Sequence, residues 1–424
     1  AVRLVGDVTG FDAGAITVLT GERFVDELRN NLASNADERL HATGFLAEPL
    51  GCGTGPAVLL AAAHAAAADP EAVCIVVPSD HVVAGDGWAG AARRAVELAA
   101  AGAVAWVCPR VPCADDERDW LLTDGAGSVT GFAAGPAPAG DVVRSAGMLA
   151  FGASALLEAV AGSGDAGWAI AGACTAVASM PVAEWTGPEA RAAFARIAPQ
   201  TIESLAASID VPQAAVIAEM SLAEVGSFTA LEAAGVRDSN GTARTGRGVD
   251  VDSHGCIVYA PERLVATLGL ADTVVVDTAD ATLVCAKDRV RDVREVVGAL
   301  RAAGAEEVVH PRTSMRPWGS WTTLLRGDGF QMKLIEVKAG GRLSLQSHRR
   351  RSEHWVVVAG EALVTRDGET APVHVNESAF IPAGTVHRLE NASGGTLQVI
   401  EVQVGDYLGE DDIERYEDDY RRGV

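Results

Sequence analysis

The sequence predicts a layered α/β domain, then a short β-rich segment, then a closed all-β barrel. Three observations predict it. Up to about residue 230, apolar runs of strand length alternate with Ala-rich stretches of helix length, the pattern of a sheet covered by helices. From about residue 235 the texture changes to short β runs and turns, and after Trp318 it is nearly all β, broken by Gly, Asn and Pro. A chain of 424 residues is also too long for one ordinary core, so two or three domains are expected.

Along the first domain, residues 1–234, AITVLT (15–20), AVCIVVPSD (72–80) and AVAWVCP (103–109) read as buried strands of a mostly parallel sheet. Helices are expected between them at 21–34, 56–69 and 87–101. Residues 235–311 follow as a connecting segment of short strands and helical-coil turns, closed by an amphipathic helix over 288–304. In residues 312–424 the runs FQMKLIEVKAG, GRLSLQSH, EHWVVVAGEALVTRDG, ESAFIPAGTVHRLEN and TLQVIEVQVG recur at the short spacing of a small barrel or jelly roll. The acidic end, GEDDIERYEDDYRRG, reads as a solvated helix.

Bulk properties exclude several function classes. A net charge of −23 argues against nucleic acid, whose phosphates are bound by clustered Lys and Arg. Any anionic substrate must then be held by a local basic cluster working against the global field. The longest Ala-rich run, 56–68, is too short to cross a bilayer and no signal segment is visible, so no membrane partner is expected. Seven Cys, none in a CxxC pair, fit a reduced cytoplasmic protein. A homodimer is expected by fold-level analogy.

The residues that carry chemistry lie in the barrel. Five residues separate Gly340 from Gln346, one separates Gln346 from His348, four precede Glu353 and six more precede Gly360. A second group, Pro382, Gly384, His387 and Asn391, follows. This is the spacing of a cupin barrel. Gln346 and His348 sit two apart on one strand, so both point to the same face. Glu353 comes from the next strand and His387 from a distant one. Two imidazoles, a carboxylate and an amide oxygen suit a divalent ion, Zn²⁺ first, with positions left open for substrate. Either imidazole alone reads as well as a hydrogen-bonded structural residue; the joint spacing is what singles out a site.

RPWG (316–319), LSLQ (343–346), RSEHW (351–355), IPAG (381–384), HRL (387–389) and YLGEDDI (407–413) together resemble the C-terminal half of the bifunctional mannose-1-phosphate guanylyltransferase/mannose-6-phosphate isomerase family. The resemblance implies a type II isomerase that interconverts mannose 6-phosphate and fructose 6-phosphate. A metal would polarise the carbonyl and the neighbouring hydroxyl, and a base would shuttle a proton through an enediol. Lys333, His354 and Glu377 are the candidate acid–base groups, and the sequence does not choose among them. Arg388 and the run Arg349, Arg350 and Arg351 are candidates to hold the substrate phosphate; for the run, a solvated surface turn is an equal reading. Where the family carries two further His after its first, this chain has Arg349 and Arg350, which leaves the metal ligands intact and makes the substrate specificity an open question.

The same resemblance implies a nucleotidyltransferase at the front, built on a loop G-x-G-T-R-L-x-P whose backbone N–H groups cradle phosphates. That loop has no counterpart here, and both a beginning upstream of Ala1 and a loss of the loop stay open. EPLGCGTGPA (48–57) resembles the family's E-P-x-x-R-N-T-A-P-A, with Cys52 and Gly53 in place of Arg and Asn. F-x-E-K-P has become Phe132 to Pro136 without its Glu and Lys, N-S-G-M has become Ser145 to Met148, and S-I-D has become Thr201 to Glu203. Asp80, in Pro78-Ser79-Asp80-His81, and Glu224 are left as carboxylates able to hold one Mg²⁺. A retained fold without transferase activity is therefore expected.

Three readings follow. The first is an active sugar-phosphate isomerase with the front domain as scaffold. The second is a guanylyltransferase, if the missing segment exists natively. The third is a diverged cupin enzyme or non-catalytic binding module for another small polar substrate.

Overall fold

The computed structural model describes residues 16–33, 43–110, 119–224, 228, 236–308 and 311–417. Its internal contacts divide the chain into two compact units, 1–234 and 235–424.

In the first unit, β1 (Thr17–Gly21), β2 (Gly44–Glu48), β3 (Val73–Val76), β4 (His81–Ala84) and β5 (Val104–Pro109) are joined by α1 (Glu22–Ala33), α2 (Thr54–Ala68) and α3 (Trp88–Ala100). These helices and three of these strands are the expected ones. The sheet differs from expectation. β6 (Leu149–Gly152) lies between β3 and β5 and runs antiparallel to both, while β7 (Gln213–Ala218) is parallel to β5, giving the order β7-β5-β6-β3. β1 and β2 form a separate parallel pair, and β8 (Ser221–Glu224) pairs antiparallel with β4. The sequence leaves strand direction open, because an apolar run reads the same whichever way it points.

β5 shows why such a run is needed. All six of its residues are buried. Trp106 and Cys108 join a core with Leu59, Leu60 and Phe151, whereas Ala105 and Val107 face the small residues Ala91, Ala92 and Ala95 of α3. Alternate side chains thus supply two cores, one on each face. The six described cysteines are free, and no described helix is long and apolar enough to cross a membrane.

The second unit begins with β9 (Ala243–Val251), β10 (Ile257–Leu268) and β11 (Thr273–Asp277), stacked in parallel, with β12 (Thr282–Ala286) antiparallel at the end. The ladder between β9 and β10 shifts register between Gly246 and Gly248. Gly246 has φ +100°, and a Cβ there would run into the Ala260 carbonyl, so only glycine fits. The expected helix over 288–304 starts late: a 3-10 stretch, Lys287–Asp292, precedes α4 (Val293–Ala302).

The barrel follows as two antiparallel sheets. One has the order β13 (Thr313–Arg316), β14 (Gly319–Gly327), β15 (Phe330–Val337), then β22 (Leu397–Gly405), β17 (Arg351–Ala359) and β20 (Ser378–Ile381). The other has the order β19 (Glu369–Val373), β18 (Ala362–Arg366), β21 (His387–Asn391), β16 (Leu345–His348) and β23 (Ile413–Glu417). β23 corrects the solvated helix expected at the acidic end. It pairs with β16, Gln346 opposite Arg415 and His348 opposite Ile413, and pairing with a sheet edge overrides local preference. The rest of that expected helix, from residue 418 on, lies outside the described residues.

Candidate metal centre in the barrel

The two sheets bring the four expected donors together. Gln346 and His348 lie on β16, and Gln346 pairs directly with His387 on β21, so the sequence-distant ligand is a neighbour in the ladder. Glu353 projects from β17 of the other sheet. Ligand atoms of His348, Glu353 and His387 all lie within 4.8 Å of one another, and all three residues are buried. The turn that carries IPAG has a structural reason: Gly384, at φ +82°, donates its N–H to the His348 carbonyl at 2.6 Å.

His348, Glu353 and His387 are held in orientations that suit a cation, while Gln346 accepts from the Ser344 hydroxyl on Oε1 and has Nε2 3.4 Å from His348 Nε2. His387 donates Nδ1–H to the Thr385 carbonyl at 2.9 Å, which leaves the Nε2 lone pair facing Glu353 Oε2 at 3.6 Å. His348 turns Nε2 to Glu353 Oε1 at 3.0 Å. Among the described residues, His387 Nε2 and His348 Nδ1 have no hydrogen-bond partner, though both are buried. Burial pulls the His387 imidazole below its ordinary pKa against the opposing pull of Glu353, and a neutral imidazole is the form that ligates. Burial works to raise the Glu353 carboxyl. The hydrogen bond from His348 and the charges of His348, His387 and Arg351 outweigh it and hold the group well below the usual range. Two imidazoles and an ionised carboxylate fit a divalent ion.

Behind the donors, the inward faces of three adjacent strands form two polar rungs. Gln331, Gln403 and Glu353 are aligned on β15, β22 and β17, and so are Lys333, Glu401 and Trp355. Gln403 donates to Glu353 Oε1 at 3.0 Å and to Glu401 Oε2 at 2.9 Å. The Trp355 indole N–H is shared between Glu353 Oε2 at 3.2 Å and Glu401 Oε1 at 3.1 Å. Burial, reinforced by the Glu353 charge, pushes Glu401 up to about 8. Lys333 pairs with Glu410 at 2.9 Å and lies 4.2 Å from the Trp321 ring centroid. An open cleft of about 50 Å³ reaches these groups, with Gln346, Glu353, Glu401 and Lys333 on its walls.

Of the other residues singled out by sequence, the structure brings Lys333 and Arg351 to this cleft. His354 is exposed and stacks near Phe380, because its neighbours Glu353 and Trp355 take the inward positions of β17. Glu377 is exposed and accepts the His374 backbone N–H at 2.8 Å. Arg388 points to the opposite face from His387 and pairs with Glu417 at 2.8 Å. Arg349 is exposed and paired with Glu414, and Arg350 is exposed and gripped by both Asp406 oxygens. Only Arg351 of that run turns inward, to Glu353 Oε1 at 3.1 Å and the Gly409 carbonyl at 3.0 Å. The polar cleft-lining residues that the sequence does not single out include Glu401, Gln403, Arg316 and Arg415. The first two were visible as polar residues on the otherwise apolar face of TLQVIEVQVG.

In the first unit, Asp80 is half-exposed, 3.8 Å from His81 Nε2, and the antiparallel pairing of β4 with β8 sets His81 opposite Glu224. Cys52 is buried, with its thiol on the Phe194 carbonyl, and burial raises its pKa. Gly53 has φ +90°, and a Cβ there would meet the Gln200 carbonyl. Ser145 donates to Glu203 at 2.6 Å in the interior.

Comparison with known proteins gives concordant results. The family model "Mannose-6-phosphate isomerase C-terminal" matches residues 303–418, and "MannoseP isomerase/GMP-like beta-helix domain" matches residues 246–300. Alginate biosynthesis protein AlgA of Pseudomonas aeruginosa is 36% identical over 405 residues, 91% of this chain and 83% of that protein. Xanthan biosynthesis protein XanB of Xanthomonas campestris pv. campestris is 36% identical over 403 residues, 90% and 83% of the two chains. Mannose-1-phosphate guanylyltransferase of Escherichia coli is 33% identical over 404 residues, 89% and 83%. A solved structure from Thermus thermophilus, described as a mannose-1-phosphate geranyltransferase, shares 26% identity at a TM-score of 0.54, covering 67% of this chain and 84% of that one. The expectation of a front half without transferase activity finds no support here, since these relatives match through the front unit as well.

Proposed function

The chain belongs to the bifunctional mannose-1-phosphate guanylyltransferase/mannose-6-phosphate isomerase family, and from that premise we propose that its barrel is a metal-dependent isomerase of mannose 6-phosphate and fructose 6-phosphate. The observation that carries this reading is the convergence of His348, Glu353 and His387 within 4.8 Å beside an open cleft. A divalent ion held by these residues and Gln346, Zn²⁺ best suiting the donors, would polarise the substrate's oxygens and acidify the C–H between them. The chain's own groups do the rest. Lys333 and Glu401, register partners on adjacent strands and both lining the cleft, are the groups assigned to take a proton from one carbon and return it to its neighbour. Gln403 and Trp355 fix the Glu353 and Glu401 carboxylates by hydrogen bonds, so neither has to reorient during the reaction.

The test is a coupled assay of mannose 6-phosphate conversion on metal-loaded and chelated protein, with His387→Ala as control. Metal-dependent turnover that disappears in the variant is expected. Protein that holds metal yet turns over neither sugar phosphate would sink the reading and favour a diverged cupin enzyme or a binding module.

A second reading concerns the first unit. The register of β4 with β8 sets His81, the neighbour of Asp80, opposite Glu224 in the ladder, and carboxylates are the donors that Mg²⁺ prefers. With relatives named for guanylyltransferase matching most of the chain, this supports transfer of GMP from GTP to mannose 1-phosphate. Formation of GDP-mannose by the purified chain with Mg²⁺, and its loss in Asp80→Asn, is the expected result; no product from an intact, folded chain would count against it.

A further inference from the structure

A hexose 6-phosphate carries its dianion at the end of the sugar remote from the carbons that isomerise. Its anchor must therefore line the cleft and not be tied up by the metal-donor carboxylate. The Arg349–Arg351 run does not meet this condition. Arg349 and Arg350 face outward to Glu414 and Asp406, and Arg351 is bonded to Glu353 itself.

Two other arginines do. Arg316 ends β13, the first strand of the six-stranded sheet, and Arg415 is the middle residue of β23, the last strand of the five-stranded one. Both line the cleft, one from each sheet. Arg415 is the register partner of Gln346, so it flanks the donor set. Arg316 donates to the Met315 carbonyl at 3.0 Å and lies 5.8 Å from the Trp321 ring centroid, contacts that orient its planar guanidinium at the cleft wall. This part of the cleft already accommodates an anion. The Glu410 carboxylate pairs with Lys333 and is held below the usual carboxylate range, burial opposing and the charges of Lys333, Arg351 and Arg316 prevailing.

We propose that Arg316 and Arg415 form the phosphate clamp of the barrel site, one from each sheet, and that β23 is therefore a wall of the substrate site. The proposal rests on the isomerase reading, which it deepens by assigning the anionic end of the substrate.

Inorganic phosphate and mannose 6-phosphate are the probes, on the full metal-loaded chain. Calorimetric binding of phosphate is compared among wild type, Arg316→Gln, Arg415→Gln and Arg349→Gln, with metal content and melting checked for each. Each clamp variant should bind phosphate at least about tenfold more weakly, the loss of a charge-assisted pair, and Arg349→Gln should match wild type. KM for mannose 6-phosphate should rise about tenfold with kcat changed less than about threefold. Should a Gln variant lose its metal, Arg316→Lys and Arg415→Lys carry the test, since a retained point charge without the fork still weakens a two-pronged contact. Phosphate binding unchanged in both clamp variants, or lost in Arg349→Gln, overturns the clamp. Clamp-dependent phosphate binding without turnover leaves the clamp standing and removes the isomerase; turnover with KM unaffected does the reverse.

Discussion

The barrel and the front unit place the carboxylates that could hold a metal in opposite ways. In the barrel, the inward faces of neighbouring strands change from apolar to polar partway along: Val337 and Ile335 give way to Lys333 and Gln331, and Leu397 and Val399 to Glu401 and Gln403. In the front unit, β5 stays apolar and buried through all six residues, while Asp80 stands half-exposed at a turn. Burying a charge costs several kcal/mol unless it is paired and hydrogen-bonded. The barrel therefore tolerates its cluster only as an intact, mutually paired set, whereas the front unit's fold does not lean on the half-exposed Asp80. A front unit that folds says little about its chemistry. A barrel that keeps charges buried says a good deal.

The largest effect should come from breaking the buried cluster. Glu353→Ala leaves the interior guanidinium of Arg351 without its carboxylate and should cost the barrel about 3–5 kcal/mol, read from chemical denaturation of metal-free protein; a loss under about 1 kcal/mol would mean that the barrel does not depend on the pairing. Next, loading with Zn²⁺ at about a hundredfold over its dissociation constant should stabilise the barrel by about 2.7 kcal/mol and leave the front unit's transition in place. A calorimetric scan in which both transitions move equally would erase the contrast. Trp355→Phe, which removes one N–H shared by two buried carboxylates, should cost about 1–3 kcal/mol. Smallest of all, Asp80→Asn should change stability by less than about 0.5 kcal/mol while abolishing any Mg²⁺-dependent GDP-mannose formation. A marked destabilisation there would show that the front site is built into its fold after all.

Much of this contrast is legible in the sequence, for physical reasons. A two-residue spacing puts Gln346 and His348 on one face of any strand, and the alternation of FQMKLIEV and LQVIEVQV identifies both faces of β15 and β22. Three consecutive arginines are not legible in the same way. On an extended chain successive side chains point to opposite sides, so Arg350 and Arg351 must have different fates, and only the position of Glu353 reveals which turns inward. The charged end reads as helix because its acidic and basic residues recur at helical spacing; its partner, β16, lies far earlier in the chain, beyond the reach of any local pattern. Strand direction in the front sheet is hidden for a related reason. Leu149–Gly152 inserts between β3 and β5, and an apolar run carries no mark of orientation.

Trp355 gives the site one more property. Its ring stands edge-on to His387 at 5.4 Å, it is 1% exposed, and its N–H bridges two carboxylates. An indole's emission responds to charge beside it, so the cluster contains its own optical reporter. The difference spectrum between wild type and Trp355→Phe separates that signal from the rest of the eight tryptophans. A cation or anionic sugar that reached the cluster would be followed in real time, with no coupling enzyme and no label.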